Sequence, residues 1–162
     1  MITSKRYWVA ATAVILGMIT FIPEVPGQQP IDTTSCSSTK ITTIVSTPEF
    51  TIYSTEARGV QIDNLPSKTF DNLTFHSVGV YKVESGKVTG NTYSKYMDAS
   101  EDFFLVETQV GTEAVWKYIY GTGKWKGITG GGTSIPLTKG KPISPGTSQG
   151  CNKVTGTYEL KK

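Results

Sequence analysis

From about Ile41 onward, short alternating runs of apolar and polar residues are broken repeatedly by Gly, Pro, Asn and Asp. No window longer than two turns carries a helical repeat. Period-two runs bounded by turn residues predict β-strands, here over 41–54, 70–84, 87–97, 102–110, 113–120, 124–129 and 151–160. Glu84-Ser85-Gly86-Lys87 and Met97 to Glu101 read as polar hairpin loops, Gly111-Thr112 as a two-residue connection, and Gly121-Thr122-Gly123 as a tight reversal. Residues 134–150, with three prolines and three glycines, predict a long loop. Consecutive strands joined by short turns predict an up-and-down meander. Seven or eight strands in about 120 residues favour closure into a small barrel, which removes the sheet edges, over an open sandwich. No helices alternate with the strands, so α/β folds are excluded.

Alternation also assigns faces, because successive strand residues point to opposite sides. In 113–120, Lys117 marks Glu113, Val115 and Ile119 as outward, which sends Ala114, Trp116, Tyr118 and Tyr120 inward. Lys124 and Lys126 outward place Trp125 inside. The same reasoning puts Phe75, Ser77, Gly79 and Tyr81 inside and His76 outside. It also places Thr92, Ser94, Tyr96, Phe104, Val106 and Thr108 inward. The expected interior is therefore aromatic: Phe75, Tyr81, Tyr96, Trp116, Tyr118, Tyr120 and Trp125. Such rings either fill a small barrel completely or line a cavity suited to an apolar ligand with one or two polar handles.

The chain before Ile41 changes the picture of the compartment. Lys5 and Arg6 precede an uncharged apolar run from Tyr7 to Ile22, followed by Pro23-Glu24-Val25-Pro26-Gly27. This is the three-part layout of a secretory signal peptide, and Val25 and Gly27 place the cut after Gly27. The apolar run is short of the ~20 residues that a spanning helix prefers. The organisation expected is a signal peptide over 1–27, a flexible lead-in over 28–40 and one β-barrel domain over 41–162, in a secreted or periplasmic protein with no membrane association after cleavage. Cys36 and Cys151 both survive the cut. Two cysteines in an exported chain ordinarily pair, two free thiols being the alternative.

Composition removes several chemistries. The single histidine, His76, rules out a multi-histidine metal site within one chain and makes any Ser-His-Asp or Cys-His arrangement depend on that residue. The formal charge of +3 falls to +2 once Lys5, Arg6 and Glu24 leave with the signal peptide. Lysines interspersed with Asp and Glu form no phosphate-binding stripe, so nucleic acid is not an expected partner. The run Gly121-Thr122-Gly123-Lys124-Trp125 fails the P-loop pattern, because Tyr118 occupies its first glycine and Trp125 replaces the Ser or Thr after the lysine. Lys126 likewise breaks the dinucleotide pattern. Asp98, Glu101 and Asp102 cluster in one turn without a glycine-centred cation loop, which reads as a solvated hairpin rather than a Ca²⁺ site. Glu56, Arg58 and Glu107 are the remaining charged candidates for a site at the barrel mouth, with Glu107 outward by alternation. No cofactor and no metal are expected.

Three stretches carry a family likeness: Tyr96-Met97-Asp98, the run from Gly121 to Gly132 (GTGKWKGITGGG), and Gly150 to Tyr158 (GCNKVTGTY). The chain resembles small exported bacterial proteins of unassigned function, and its GTGK-aromatic-x-G-x-x-G run is similar to that of the allene oxide cyclase and dirigent barrels. The resemblance covers the last third to half of the chain. It implies an eight-stranded antiparallel barrel with a central apolar cavity. The catalytic residues of neither family match positions here, so neither activity carries over. Three functions remain open: a module binding a small apolar or aromatic ligand, a cyclase or isomerase-type enzyme in the same cavity, and a structural protein with a packed barrel. Oligomeric state is not legible.

Overall fold

The computed structural model describes residues 27–160. Eight antiparallel strands follow one another around a closed barrel: β1 (Gln29–Ser46), β2 (Phe50–Asp63), β3 (Leu73–Glu84), β4 (Lys87–Met97), β5 (Phe103–Val110), β6 (Ala114–Gly121), β7 (Ile128–Lys139) and β8 (Thr147–Leu160). Each strand pairs with the next, and β1 pairs with β8 to close the ring. The turn Ser85-Gly86 has positive φ at both residues, 49° and 74°, the conformation whose twist matches a tight antiparallel hairpin.

An up-and-down order puts every second connection at the same end. The odd strands begin, and the even strands end, at the end that carries the 64–72, 98–102 and 122–127 connections. That end is plugged. Asp63 accepts the backbone N–H groups of Leu65 (2.8 Å) and Phe70 (3.0 Å), and Asp71 accepts that of Asp63 (2.9 Å). These bonds fold the 64–72 loop so that Phe70 is buried. Phe70 stacks on Trp125 with ring centroids 5.2 Å apart and meets Tyr158 edge-on at 4.8 Å. Ile31, Leu73, Phe104 and Ile128 complete the apolar core there. The other end, formed by the short hairpin connections and 140–146, is the mouth.

Several expected boundaries move. The lead-in over 28–40 is not flexible: Gln29 onward is β1, pairing with β8 from Gln29 and with β2 from Thr33. Its run of small polar residues hides alternation, yet ring closure requires a first strand with partners on both sides. The single strand expected over 41–54 is a hairpin instead, turned at 47–49, where Thr47 Oγ1 accepts the N–H groups of Glu49 (3.2 Å) and Phe50 (3.1 Å). The long loop expected over 134–150 shrinks to 140–146, because Ile135 to Lys139 pair with β8 despite Pro136 and a bulge at Leu137. Lys124 and Trp125 belong not to a strand but to a single 3-10 turn, Gly123–Trp125. A Cβ at Gly123, φ 47°, would lie 1.8 Å from the Asp102 carboxylate, so only glycine fits there. The signal peptide expected over 1–27 lies outside the described residues, apart from Gly27.

Candidate functional site

Above the plug the lumen opens into a cavity of about 430 Å³ that reaches the mouth. Five of the seven expected aromatic residues line it: Phe75, Tyr81, Tyr96, Trp116 and Tyr118. Each sits at an inward position where strand pairing is regular. The other two do not. Tyr120 is 54% exposed. Leu105 pairs with Tyr120 and Val106 with Tyr118, which leaves Ile119 as an extra residue in β6. A bulge of this kind resets alternation, so Ile119 and Tyr120 both face solvent. Trp125 is 1% exposed but does not border the cavity. It forms the plug, with Nε1 donating to Asp98 at 3.2 Å.

Strand order explains the polar half of the lining. Inward positions of β1 are Thr33, Ser35, Ser37 and Thr39, a ladder of hydroxyls running the depth of the lumen. Ser35 Oγ donates to Gln61 Oε1 at 2.9 Å, and Ser77 and Ser94 pair at 2.6 Å. Toward the mouth Tyr53 and Tyr81 stack at 5.3 Å, and the Tyr81 hydroxyl bonds Thr92 Oγ1. Trp116 Nε1 donates to the Thr133 carbonyl at 3.1 Å, which satisfies its one polar atom in the wall. Thr33, Ser35, Gln61 and Tyr53 were missed by sequence reasoning. The signal for β1 is the strict Ser/Thr content of every second residue, readable only once 29–46 is known to be a strand.

Among the described residues, no Asp, Glu, Lys, Arg or His side chain lines the cavity. Burial pushes the Tyr96 phenol up to about 12, the Ser35 hydroxyl pulling slightly the other way. Burial also drives Tyr118 well above the ordinary range, reinforced by the nearby phenols of Tyr96 and Tyr158. Tyr53 rises through burial and its neighbour Tyr81. The cavity therefore holds neutral hydroxyl, amide and ring groups at physiological pH.

The charged candidates lie elsewhere. Glu56 accepts from Arg58 (2.8 Å) and His76 (2.9 Å) on the outer wall. Glu107 is held by Lys117 (2.8 Å) and Tyr93 (3.0 Å), also outside. In the acidic turn, Asp98 binds Lys124 Nζ (2.8 Å), the Ser100 N–H (2.8 Å) and the Trp125 indole. Asp102 accepts the Lys124 N–H at 3.1 Å. The turn thus fastens the plug. Among the described residues no group of three His, Cys, Asp or Glu side chains could hold a metal ion. Cys36 and Cys151, opposite each other in β1 and β8, form a disulfide across the closing seam, a bond that belongs to an oxidising compartment.

No family model matches the chain, and no curated protein matches it. Among solved structures, a pterocarpan synthase dirigent protein is similar in fold, with a TM-score of 0.54 at 9% identity, over 95% of this chain and 100% of that one. The fold is a dirigent-type barrel. At that identity the likeness concerns the backbone architecture alone, and the expected eight-stranded closed barrel is what it matches.

Proposed function

We propose that this protein is an exported binding module that holds a small apolar or aromatic ligand inside the barrel. The observation that carries the reading is the open cavity, lined among the described residues by no charged side chain and walled by seven aromatic rings and a ladder of hydroxyls. Ligand sites combine a mostly apolar wall with a few fixed polar groups, and the plug closes this cavity at one end only. Export is supported by the Cys36–Cys151 bond and by the basic-apolar-small layout of residues 1–27. A cyclase or isomerase working by enclosure and orientation alone draws on the same cavity. Among the described residues no carboxylate or imidazole faces its interior, and Tyr96 and Tyr118 keep their protons, so neither serves there as a general base.

Native mass spectrometry of the protein purified from its own compartment tests the reading. A co-purified small molecule, released on unfolding and lost in Trp116→Ala, is the expected result. An empty protein that also fails to quench or shift tryptophan fluorescence with a panel of neutral aromatic compounds would refute it.

A further inference from the structure

Tyr81 points into the lumen near the mouth, and its ring is laid back against the wall. Gly79, two residues earlier on β3, and Gly90, its pairing partner on β4, share the inward face. A Cβ at Gly79 would lie 2.8 Å from Tyr81 Cε2 and 2.7 Å from Thr92 Oγ1, and a Cβ at Gly90 would lie 2.7 Å from Tyr81 Cδ1, against 3.4 Å or more in ordinary contact. The ring thus occupies space that two missing side chains leave free. Tyr53 stacks on it with planes 17° apart, and the Tyr81 hydroxyl is tied to Thr92. Glycine weakens a strand interior, and its presence there marks a close approach. Here two neighbouring inward glycines keep a pair of rings out of the bore.

We propose that Gly79 and Gly90 are specificity-determining positions. By holding the Tyr53–Tyr81 stack against the wall they set the width of ligand that the cavity admits, and that width suits a fused ring system rather than a single ring. This rests on the binding-module reading above. A cavity of roughly 150 Å³ holds one benzene ring, and this lumen encloses about 430 Å³. A side chain at Gly79 would lift the Tyr81 ring off the wall, and the sheet behind it leaves only the lumen to move into. Tyr53, stacked on that ring, would move with it. Gly79 carries the test because the two atoms nearest its Cβ belong to side chains, whereas Gly90 also abuts the Val80 carbonyl.

Naphthalenemethanol and pyrenemethanol carry the same neutral handle and differ in ring width. Titration of the disulfide-bonded protein, followed by probe fluorescence anisotropy, should show both bound, pyrenemethanol the tighter because it buries more apolar surface. Gly79→Ala should weaken pyrenemethanol about tenfold, as overpacking of a filled site predicts, and naphthalenemethanol less than about twofold. Adding Tyr81→Ala to Gly79→Ala should restore pyrenemethanol binding, since the intruding ring is gone. Tyr81→Ala alone adds no side chain and should raise the preference for pyrenemethanol above the wild-type level, which decides the matter if Gly79→Ala does not fold. A ring that merely covers glycine to support the sheet would lower the melting temperature of Gly79→Ala and leave the ratio of the two affinities unchanged. That result would overturn the assignment while the binding module stands. So would a double variant as weak on pyrenemethanol as Gly79→Ala, an unchanged preference in Tyr81→Ala, or wild-type protein that binds naphthalenemethanol alone. Failure of both probes to bind would instead overturn the module, and this inference with it.

Discussion

Replacing Trp125 and Trp116 separately by alanine tests the division of the interior into plug and cavity. Both rings are buried, at 1% and 5% exposure. Trp125 is surrounded: it stacks on Phe70 at 5.2 Å, meets Phe104 edge-on at 5.1 Å, and donates to Asp98. Its removal opens a void inside packed rings and takes one of the donors from Asp98, so a loss of about 4–5 kcal/mol is expected, the upper part of the range for large aromatic truncations. Trp116 has space on one side already. Its truncation forfeits one edge-to-face pair with Tyr118 at 5.2 Å and the bond to the Thr133 carbonyl, together about 1–3 kcal/mol. The assay is urea unfolding followed by far-ultraviolet circular dichroism, because tryptophan fluorescence changes with both substitutions. Equal m-values validate the comparison. A Trp116→Ala loss equal to or greater than that of Trp125→Ala would mean that Trp116 is packed on all sides and that the cavity does not persist in solution.

Other outcomes follow from the same geometry. Burial alone would raise the Asp98 carboxyl, but Lys124, the Ser100 N–H and the Trp125 indole outweigh it and hold it below its ordinary 3.8. A depressed native value adds stability above the unfolded value and loses it as pH falls through the native one. Melting temperature should therefore drop below about pH 3.8 in the wild type and drop less in Asp98→Asn, and an identical acid profile in the two would refute the linkage. Cys36 and Cys151 are 115 residues apart. Cys36→Ser with Cys151→Ser should cost roughly 4–5 kcal/mol on the chain-entropy account, read by denaturant titration, while non-reducing mass spectrometry of the wild type should show no free thiol. Tyr120→Ser should change stability by less than about 0.5 kcal/mol, as for an ordinary surface site, whereas a core-sized loss would place the ring back inside. Raising pH from 9 to 11 should leave Tyr96 largely protonated, since burial holds its phenol at about 12, so Tyr96→Phe should leave the ultraviolet titration nearly unchanged in that range.

Much of the barrel was legible because a strand's side-chain period is short and local. Lys117, Lys95 and Lys82 marked the outer face, and Phe75, Tyr81, Tyr96, Trp116 and Tyr118 fell on the inner one, where they line the cavity. Alternation holds only while pairing is regular. The extra residue Ile119 carried Tyr120 to the outside, and a bulge leaves no local mark in a run of apolar and aromatic residues. Trp125 was correctly expected to be buried but not to leave the strands for the plug, a position fixed by Asp98 and Phe70 from distant parts of the chain.

By itself, the sequence determined the strand-rich class, the meander order, the lack of any histidine cluster and most of the aromatic lining, since each follows from composition or from neighbours two residues apart. Only the tertiary structure decided that a serine- and threonine-rich N-terminal run is the strand that closes the ring, that one end is plugged and the other open, and that no charged side chain among the described residues lines the lumen. Those properties arise when strands far apart in the chain meet around a common axis. Local patterning carries no record of which residues a closed ring brings face to face.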